Sequence, residues 1–398
     1  MQRQPGLPAE RGEQPARLRH RRHRAELVPR DRRHQLSRLK RPTAAADTTT
    51  VFKRSRSSKS APIVGLDIDG GHVAAAQVMA NGTFSVKNAA VSELPRGIMR
   101  DGELADPGAL TEALRGFFAE NGLPQHVRLG VASQRIVVRT LNLPPLADER
   151  ALAAAVKVEA PDHIPMPIDE AVVDFQSLGD VDTPAGPRTR VVVVAARREM
   201  VERFAVAVAD AGLRVEGIDL SAFAMVRALR SGAETDARLY VNLGGLTNLA
   251  VANASGCLFA RAASGGLDTI VSTLAERRAL TTEHAAQWIA HVGLAADVDT
   301  IEGDPDLVAT TRATLEQGVN ELAETVRGSL NFYRSQEAVE TVERGLVTGR
   351  GATVPGLVER LGEKLRLQLE AGVVHADDAV AEPSRLTVAA GLAVASRD

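Results

Sequence analysis

The 398-residue sequence predicts an α/β chain folded as two lobes that close on a shared cleft. Three observations predict it. The stretch Ile63-Val-Gly-Leu-Asp-Ile-Asp-Gly-Gly-His-Val73 reads as a buried strand ending in an acid and two glycines, with a second apolar run to residue 78. Leu239-Tyr-Val-Asn-Leu-Gly-Gly-Leu-Thr-Asn-Leu-Ala-Val251 repeats the pattern, with Asn242 as the polar residue before its turn. A third glycine cluster, Thr348-Gly-Arg-Gly351, follows Leu346-Val347 and precedes a helical pattern. Glycine turns let backbone N–H groups approach a phosphate closely. Each turn taken singly also suits an ordinary hairpin; the repetition is what suggests a duplicated unit.

The elements follow in order. Residues 63–90 read as a hairpin plus a third strand around Gly82-Thr83-Phe84-Ser85-Val86. Asp106-Pro107 opens a helix, Asp as N-cap and Pro at N1. Leu110, Leu114, Phe117 and Phe118 share one face, and Gly122 terminates it. Residues 127–132 and 136–141 are strands flanking Ser133-Gln134, and Pro144-Pro145 marks a boundary. Asp148 caps a helix carrying Leu152, Val156 and Glu159, which Pro161, Pro165 and Pro167 end. A strand at 171–178, a polar loop at 179–187, a strand at 190–196 and a helix at 199–211 come next, with Met200, Phe204 and Val208 inward. Residues 215–219 return to the first lobe, and a helix runs over 221–229.

The second lobe starts near Arg238 with hairpins at 239–252 and 257–263. Ser264-Gly-Gly-Leu-Asp268 then leads into a helix; the two glycines either place N–H groups near phosphate or form a plain turn. Helices at 281–291 and 306–336 follow. The second carries Leu307, Thr311, Leu315, Val319, Leu322, Val326, Leu330 and Tyr333 at a spacing of three or four, the mark of a core stripe. After a strand at 344–348, Pro355 starts a helix with Val358, Leu361, Leu365 and Leu369 on one side. Residues 386–395 form a last helix.

Composition fits a soluble globular body: 44% hydrophobic and 25% charged residues. The single cysteine, Cys257, excludes an internal disulfide and reads as core packing in a reducing compartment. No run approaches the roughly 20 apolar residues that span a bilayer. The net charge of −2 hides an asymmetry. Residues 1–60 hold 17 Lys and Arg against 5 Asp and Glu, leaving the remainder acidic. This stretch reads as a disordered basic tail, or as sequence translated upstream of the true start. Its charge would also suit anionic lipid or nucleic acid, but the partner expected for the folded part is a protein and not a nucleic acid. The nine histidines show no metal spacing. Glu159, Asp169, Glu170 and Asp174 read as loop and helix-end charges, and Trp288 as packing.

With its two hairpins and third glycine turn, the chain resembles the actin-like ATPase superfamily, a ribonuclease H-like two-lobed fold. It is most similar to the PilM family of type IV pilus assembly, which is FtsA-like. The segment Ala155-Val-Lys-Val-Glu-Ala-Pro-Asp-His-Ile-Pro-Met-Pro-Ile-Asp-Glu-Ala-Val-Val-Asp-Phe175 carries that closer resemblance. The resemblance covers about residues 61–398. It implies a first lobe (1A) at 61–143 and 214–237 with an inserted 1C, or SHS2-type, subdomain at 144–213. A second lobe (2A) spans 238–275 and 340–384, a helical subdomain (2B) 276–339, and residues 385–398 return to 1A.

The resemblance also implies an ATP and Mg²⁺ site between the lobes. Asp67 would be the metal-positioning acid, with Gly70, Gly71 and His72 on the first phosphate turn. Asn242, Gly244, Gly245, Thr247 and Asn248 would form the second, Gly265 and Gly266 would flank it, and Gly349, Arg350 and Gly351 would lie against adenosine. The sequence departs from this pattern. Asp69 stands where the family has glycine, Gly70, Gly71 and His72 at its hydroxyl positions, and Ala74 where it has lysine. Asn242 replaces an acid, and Ala285-Ala-Gln-Trp-Ile289 lacks the Glu and Lys that hold a nucleoside. Losing a lysine from phosphate removes roughly 1.5–3 kcal/mol, and a neutral amide is a poor ligand for Mg²⁺. Weak or absent hydrolysis is expected, with nucleotide binding left open.

Function by resemblance is that of a scaffold at the inner face of the cytoplasmic membrane, cytoplasmic itself and peripheral through partners, with self-association open. It would grip the N-terminal tail of a PilN-like membrane protein in a groove between first lobe and insert. Candidate walls are Pro144-Pro145, the segment Ile164, Pro165, Met166, Pro167 and Ile168, and the edge at 191–195. The alternatives are an FtsA-like division protein and an ATP-dependent enzyme of the sugar-kinase kind. No basic amphipathic extension closes the chain, as a membrane-binding FtsA-like protein would carry, and no general-base Asp with a sugar pocket is recognisable.

Overall fold

A computed structural model describes residues 63–394, apart from 81–83, 101, 147, 185, 233–234, 338, 378–379 and 381. The basic tail at 1–60 therefore lies outside the described residues, as does the end of the chain from 395.

The chain begins with β1 (Val64–Asp69), β2 (His72–Ala80) and β3 (Phe84–Glu93), followed by a two-residue hairpin, β4 (Met99–Arg100) and β5 (Glu103–Leu104). Helix α1 (Pro107–Asn121) has the predicted ends: Asp106 accepts from the Ala109 N–H, and Gly122 adopts the left-handed region at φ 59°. Strand β6 (His126–Val131) enters parallel to β1. With β10 (Arg214–Leu220) these strands make a five-stranded sheet ordered β10-β6-β1-β2-β3. Leu110, Leu114, Phe117 and Phe118 of α1 are buried in its core.

Between β6 and β10 the chain builds a separate unit. Strands β7 (Val137–Leu143), β8 (Ala171–Thr183) and β9 (Gly186–Arg197) form an antiparallel sheet with β9 in the middle. Helix α2 (Glu149–His163) covers one face, and α3 (Arg198–Asp210) leads back to the first sheet. Four details differ from the sequence reading. Strand β7, expected to close the first lobe, pairs with β9, so the insert begins before Pro144. The predicted polar loop at 179–187 is mostly strand, because β8 and β9 pair from Ala171 to Thr183 through a tight turn. Pro161 does not end α2; it sits in the last turn, and Ile164 N–H donates to Ala160 O beyond it. The 191–195 stretch is the middle strand and buried, so it presents no edge to a peptide.

Helix α4 (Ser221–Leu229) connects to the second sheet, ordered β13-β12-β11-β14-β15. Its strands are β11 (Arg238–Leu243), β12 (Thr247–Asn253), β13 (Gly256–Ala263), β14 (Arg344–Thr348) and β15 (Gln368–Ala371). Helices α5 (Leu267–Arg278), α6 (Thr282–Val292) and α7 (Pro305–Arg334) lie between β13 and β14, and α8 (Leu357–Leu365) follows β14. The apolar stripe of α7 is buried from Val308 to Tyr333. Leu369, predicted on the helix after Pro355, lies instead on β15: α8 stops at Leu365, Arg366 turns left-handed at φ 58°, and the chain pairs parallel with β14. The short apolar run was absorbed into the preceding helical period, where strand and helix look alike.

The last helix, α9 (Thr387–Ala393), returns to the first lobe and packs on β1 and α4. Small residues make this possible. A Cβ on Gly65 would fall 1.8 Å from Ala389 O, and one on Gly391 1.8 Å from Ala224 O. Cys257 is buried, and burial pushes its thiol up to about 12, which keeps it inert.

Candidate functional site

The first and second sheets meet through their glycine turns. β1 pairs antiparallel with β2 down to Asp69 and His72, leaving Gly70 and Gly71 as the two-residue corner, with Gly70 at φ +58°. β11 and β12 pair down to Leu243 and Thr247, with Gly244, Gly245 and Leu246 as the corner. The two corners touch. A Cβ on Gly245 would lie 2.7 Å from Gly70 Cα, and one on Gly244 would lie 1.7 Å from Asp69 Oδ2. Only glycine lets two backbones come this close.

The contact is polar as well as steric. Asp69 accepts from the Gly245 N–H (Oδ2, 3.1 Å) and from the Leu246 N–H (Oδ1, 3.3 Å). Its carboxyl therefore spans the gap between the lobes. Burial and the charge of Asp268 push its pKa up, against the two N–H bonds and Arg350, to about 6. Asp67 lies two residues earlier on the same side of β1 and is 7% exposed. The Ser221 Oγ–H donates to its Oδ1 (3.2 Å). Burial, followed by the charge of Asp69, raises Asp67 to about 7. The two carboxyls thus oppose each other's ionisation, as close acids do.

The third turn joins the same place. Arg350 Nη1 donates to Asp268 Oδ1 (2.7 Å) and lies 2.7 Å from His72 Nε2. Burial, together with Arg350 and Arg385, lowers the His72 pKa to about 3, so the ring is neutral at physiological pH. Gly349 sits at φ +81°, and a Cβ there would fall 2.2 Å from Asn242 Oδ1; its N–H donates to Ser384 O (3.1 Å). Gly351 packs on Leu243. Thr247 Oγ1 donates to Gly265 O (2.6 Å), and a Cβ on Gly266 would lie 2.3 Å from Gly244 O. Asn242 and Asn248 are buried opposite each other on β11 and β12. Asp67, Gly70, Gly71, His72, Asn242, Gly244, Gly245, Thr247, Asn248, Gly265, Gly266, Gly349, Arg350 and Gly351 thus gather at or just behind one junction.

This arrangement does not fit a nucleoside triphosphate with Mg²⁺. The N–H groups of Gly245 and Leu246 go to Asp69, and that of Asp268 goes to Gly244 O (3.4 Å). Gly70 against Gly245 leaves no width between the turns for a phosphate. Ala74 is buried in an apolar cluster with Ala76, Val86 and Val374. Among the described residues no group of three or more His, Cys, Asp and Glu could hold a metal ion. Sequence reasoning read Asp69 only as a departure from the family's glycine and gave no role to Asp268 or Ser221. The available signal was an acid directly before one Gly-Gly corner and a second Gly-Gly corner elsewhere.

The proposed partner segment divides by burial. Ile164 is 4% exposed and packs with Leu152, Val156 and Val193 in the core of the insert. Met166 and Ile168 are half-buried on the edge of that core, and Pro165 and Pro167 are exposed. Pro144 and Pro145 are exposed at the other end of α2, beside Leu146 at 38% exposure. No helix of the described residues is long and apolar enough to cross a membrane.

Comparison with known proteins agrees with this architecture. Residues 65–394 match a family model described as type IV pilus assembly protein PilM. A solved PilM-PilN type IV pilus biogenesis complex aligns with a TM-score of 0.68 at 24% identity, over 84% of this chain and 98% of that chain. Ethanolamine utilization protein EutJ from Carboxydothermus hydrogenoformans aligns with a TM-score of 0.46 at 15% identity, over 86% and 92%. MreB5 of Spiroplasma citri, solved bound to ADP, gives 0.47 at 12% identity, over 83% and 94%. The solved PilM-PilN complex shares this fold, and the match of the family model over residues 65–394 places this chain in the type IV pilus assembly PilM family.

Proposed function

We propose that this protein serves type IV pilus assembly as a docking scaffold, holding the cytoplasmic N-terminal tail of a PilN-like inner-membrane protein, and that it turns over no ATP. The observation that carries this reading is the contrast between its parts. The insert has a complete apolar core of its own, from Leu141 to Ala195, whereas the interlobe turns spend their N–H groups on Asp69. A cytoplasmic position beside the membrane follows from the partner. In a division into 1A, 1C, 2A and 2B, the 1C part would start upstream of Pro144, since β7 pairs with β9.

The tail would dock beside the insert, where Met166 and Ile168 offer partly open apolar surface and Pro165 and Pro167 stiffen the backbone between them. Helix α2 has 15 residues and so spans about 22 Å. An extended peptide of about seven residues covers that length. Such a peptide is recognised by apolar pockets at alternate side chains together with backbone bonds. The test is a titration of a labelled peptide copying the N-terminal tail of the neighbouring PilN-like protein. Binding weakened about tenfold or more by Met166→Asp, in a variant that keeps its melting temperature, supports the site; unchanged binding removes it.

A further inference from the structure

We propose that the Asp69 carboxylate is a built-in replacement for a nucleotide phosphate: it occupies the anion-accepting N–H groups of the second glycine turn and holds the two lobes together without a ligand. The inference rests on the scaffold reading only in taking the lobes to be fixed; it makes no claim about the partner.

The chemistry is that of a carboxylate on a pair of adjacent backbone N–H groups. Such a pair donates to phosphate or carboxylate oxygen alike, since both offer charged acceptor oxygens. Asp69 presents one oxygen to each N–H, Oδ2 to Gly245 and Oδ1 to Leu246. The seat is part-buried, where a charge-assisted bond outweighs its counterpart in water. Its geometry depends on glycine at 244, because a Cβ there would overlap Asp69 Oδ2. Arg350 and Asp268 then close the flank, Arg350 donating to Asp268 Oδ1 beside the first turn. A soluble phosphate must give up translational freedom to reach this seat, whereas Asp69 is already tethered there, so the internal anion has the advantage at any ordinary nucleotide concentration.

The experiment uses the full chain, with Asp69→Gly and Asp69→Asn as variants. Amide hydrogen exchange at Gly245 and Leu246 is read by NMR, and Mg-ATP and inorganic pyrophosphate are titrated calorimetrically. In the wild type both N–H groups are expected to be protected, and neither ligand to bind below about 1 mM. In Asp69→Gly, exchange at both positions is expected to rise by about tenfold or more, and pyrophosphate to restore protection at high concentration. Asp69→Asn keeps one acceptor oxygen and the size of the side chain, so it should fall between the two. Three results overturn the proposal: exchange at 245 and 246 unchanged in both variants, wild type binding Mg-ATP more tightly than either variant, or pyrophosphate protecting the wild type. Should Asp69→Gly fail to fold, the exchange rates in Asp69→Asn decide alone. Loss of tail-peptide binding in the wild type would sink the scaffold reading and leave this result untouched.

Discussion

The interlobe junction and the core of the inserted subdomain are both small and buried, yet different physics holds them. The insert is held by apolar side chains: Leu141, Leu152, Val156, Ile164, Val191 and Val193 pack a core separate from that of the first lobe. The junction has almost no side chains at its centre. Two glycine corners meet backbone to backbone, and a single carboxyl ties them. An apolar core tolerates change in proportion to volume. A backbone contact tolerates no added atom, and a shared carboxyl makes it sensitive to protons. The family likeness spans both regions.

The comparison can be broken most forcefully from the apolar side. Ile164→Asp places an unpaired charge in the core of the insert and should cost about 3–5 kcal/mol. Urea unfolding followed in segments by hydrogen exchange should show the loss confined to the insert, with Gly245 and Leu246 still protected. Loss at both regions together would mean that they unfold as one unit.

Gly244→Ala attacks the junction. Its Cβ collides with Asp69 Oδ2 and should cost about 2–4 kcal/mol. In an Asp69→Gly background the same substitution should cost less than half as much, because its collision partner is gone. A double-mutant cycle in urea reads the difference, and additivity of the two changes would refute the contact.

A third test uses acid. Burial and neighbouring carboxyls push Asp67 up to about 7 and Asp69 up to about 6 in the folded chain, above the ordinary carboxyl value of 3.8. Between those values the folded state binds more protons than the unfolded one, so stability falls as pH rises. Their stabilising contribution is complete below pH of about 4 and is lost as pH climbs through about 6 and 7. The wild-type urea midpoint should therefore be higher near pH 5.5 than near pH 7.5, by about 2–3 kcal/mol in stability. Asp69→Asn should flatten that slope, and a slope equal in both proteins would place the effect elsewhere.

The smallest effect is the sharpest control. Gly71 lies beside Gly70, but a Cβ on it would meet only Asp268 Oδ2, at 3.9 Å, an ordinary contact. Gly71→Ala should change stability by less than about 1 kcal/mol in the same urea assay. A cost matching that of Gly244→Ala would show that the turn is sensitive throughout and that the collision argument fails.

Much of this was legible in the residues. Asp106-Pro107 and Gly122 gave both ends of α1, because caps are local chemistry. The α7 stripe announced its buried face through its period, and the two strand–Gly-Gly–strand runs announced two related sheets. Less was legible where the decision depended on distant neighbours. Leu369 reads as the next turn of a helix until β14 offers a strand to pair with. Ile164 reads as a surface anchor until the insert folds over it. Pro161 reads as a stop, though one proline late in a helix forgoes one bond without ending it.

By itself, the sequence determined the two strand–glycine–strand hairpins and the presence of an insert after the first of them, though not that β7 belongs to it, because period, caps and turn chemistry act within a few residues. Only the tertiary structure decided what those corners hold. Asp69 and Gly245 are 176 positions apart, and no local rule says whether an acid beside one turn repels a ligand or replaces it. That depends on how close the two lobes come, and the packing of all the other residues sets that distance.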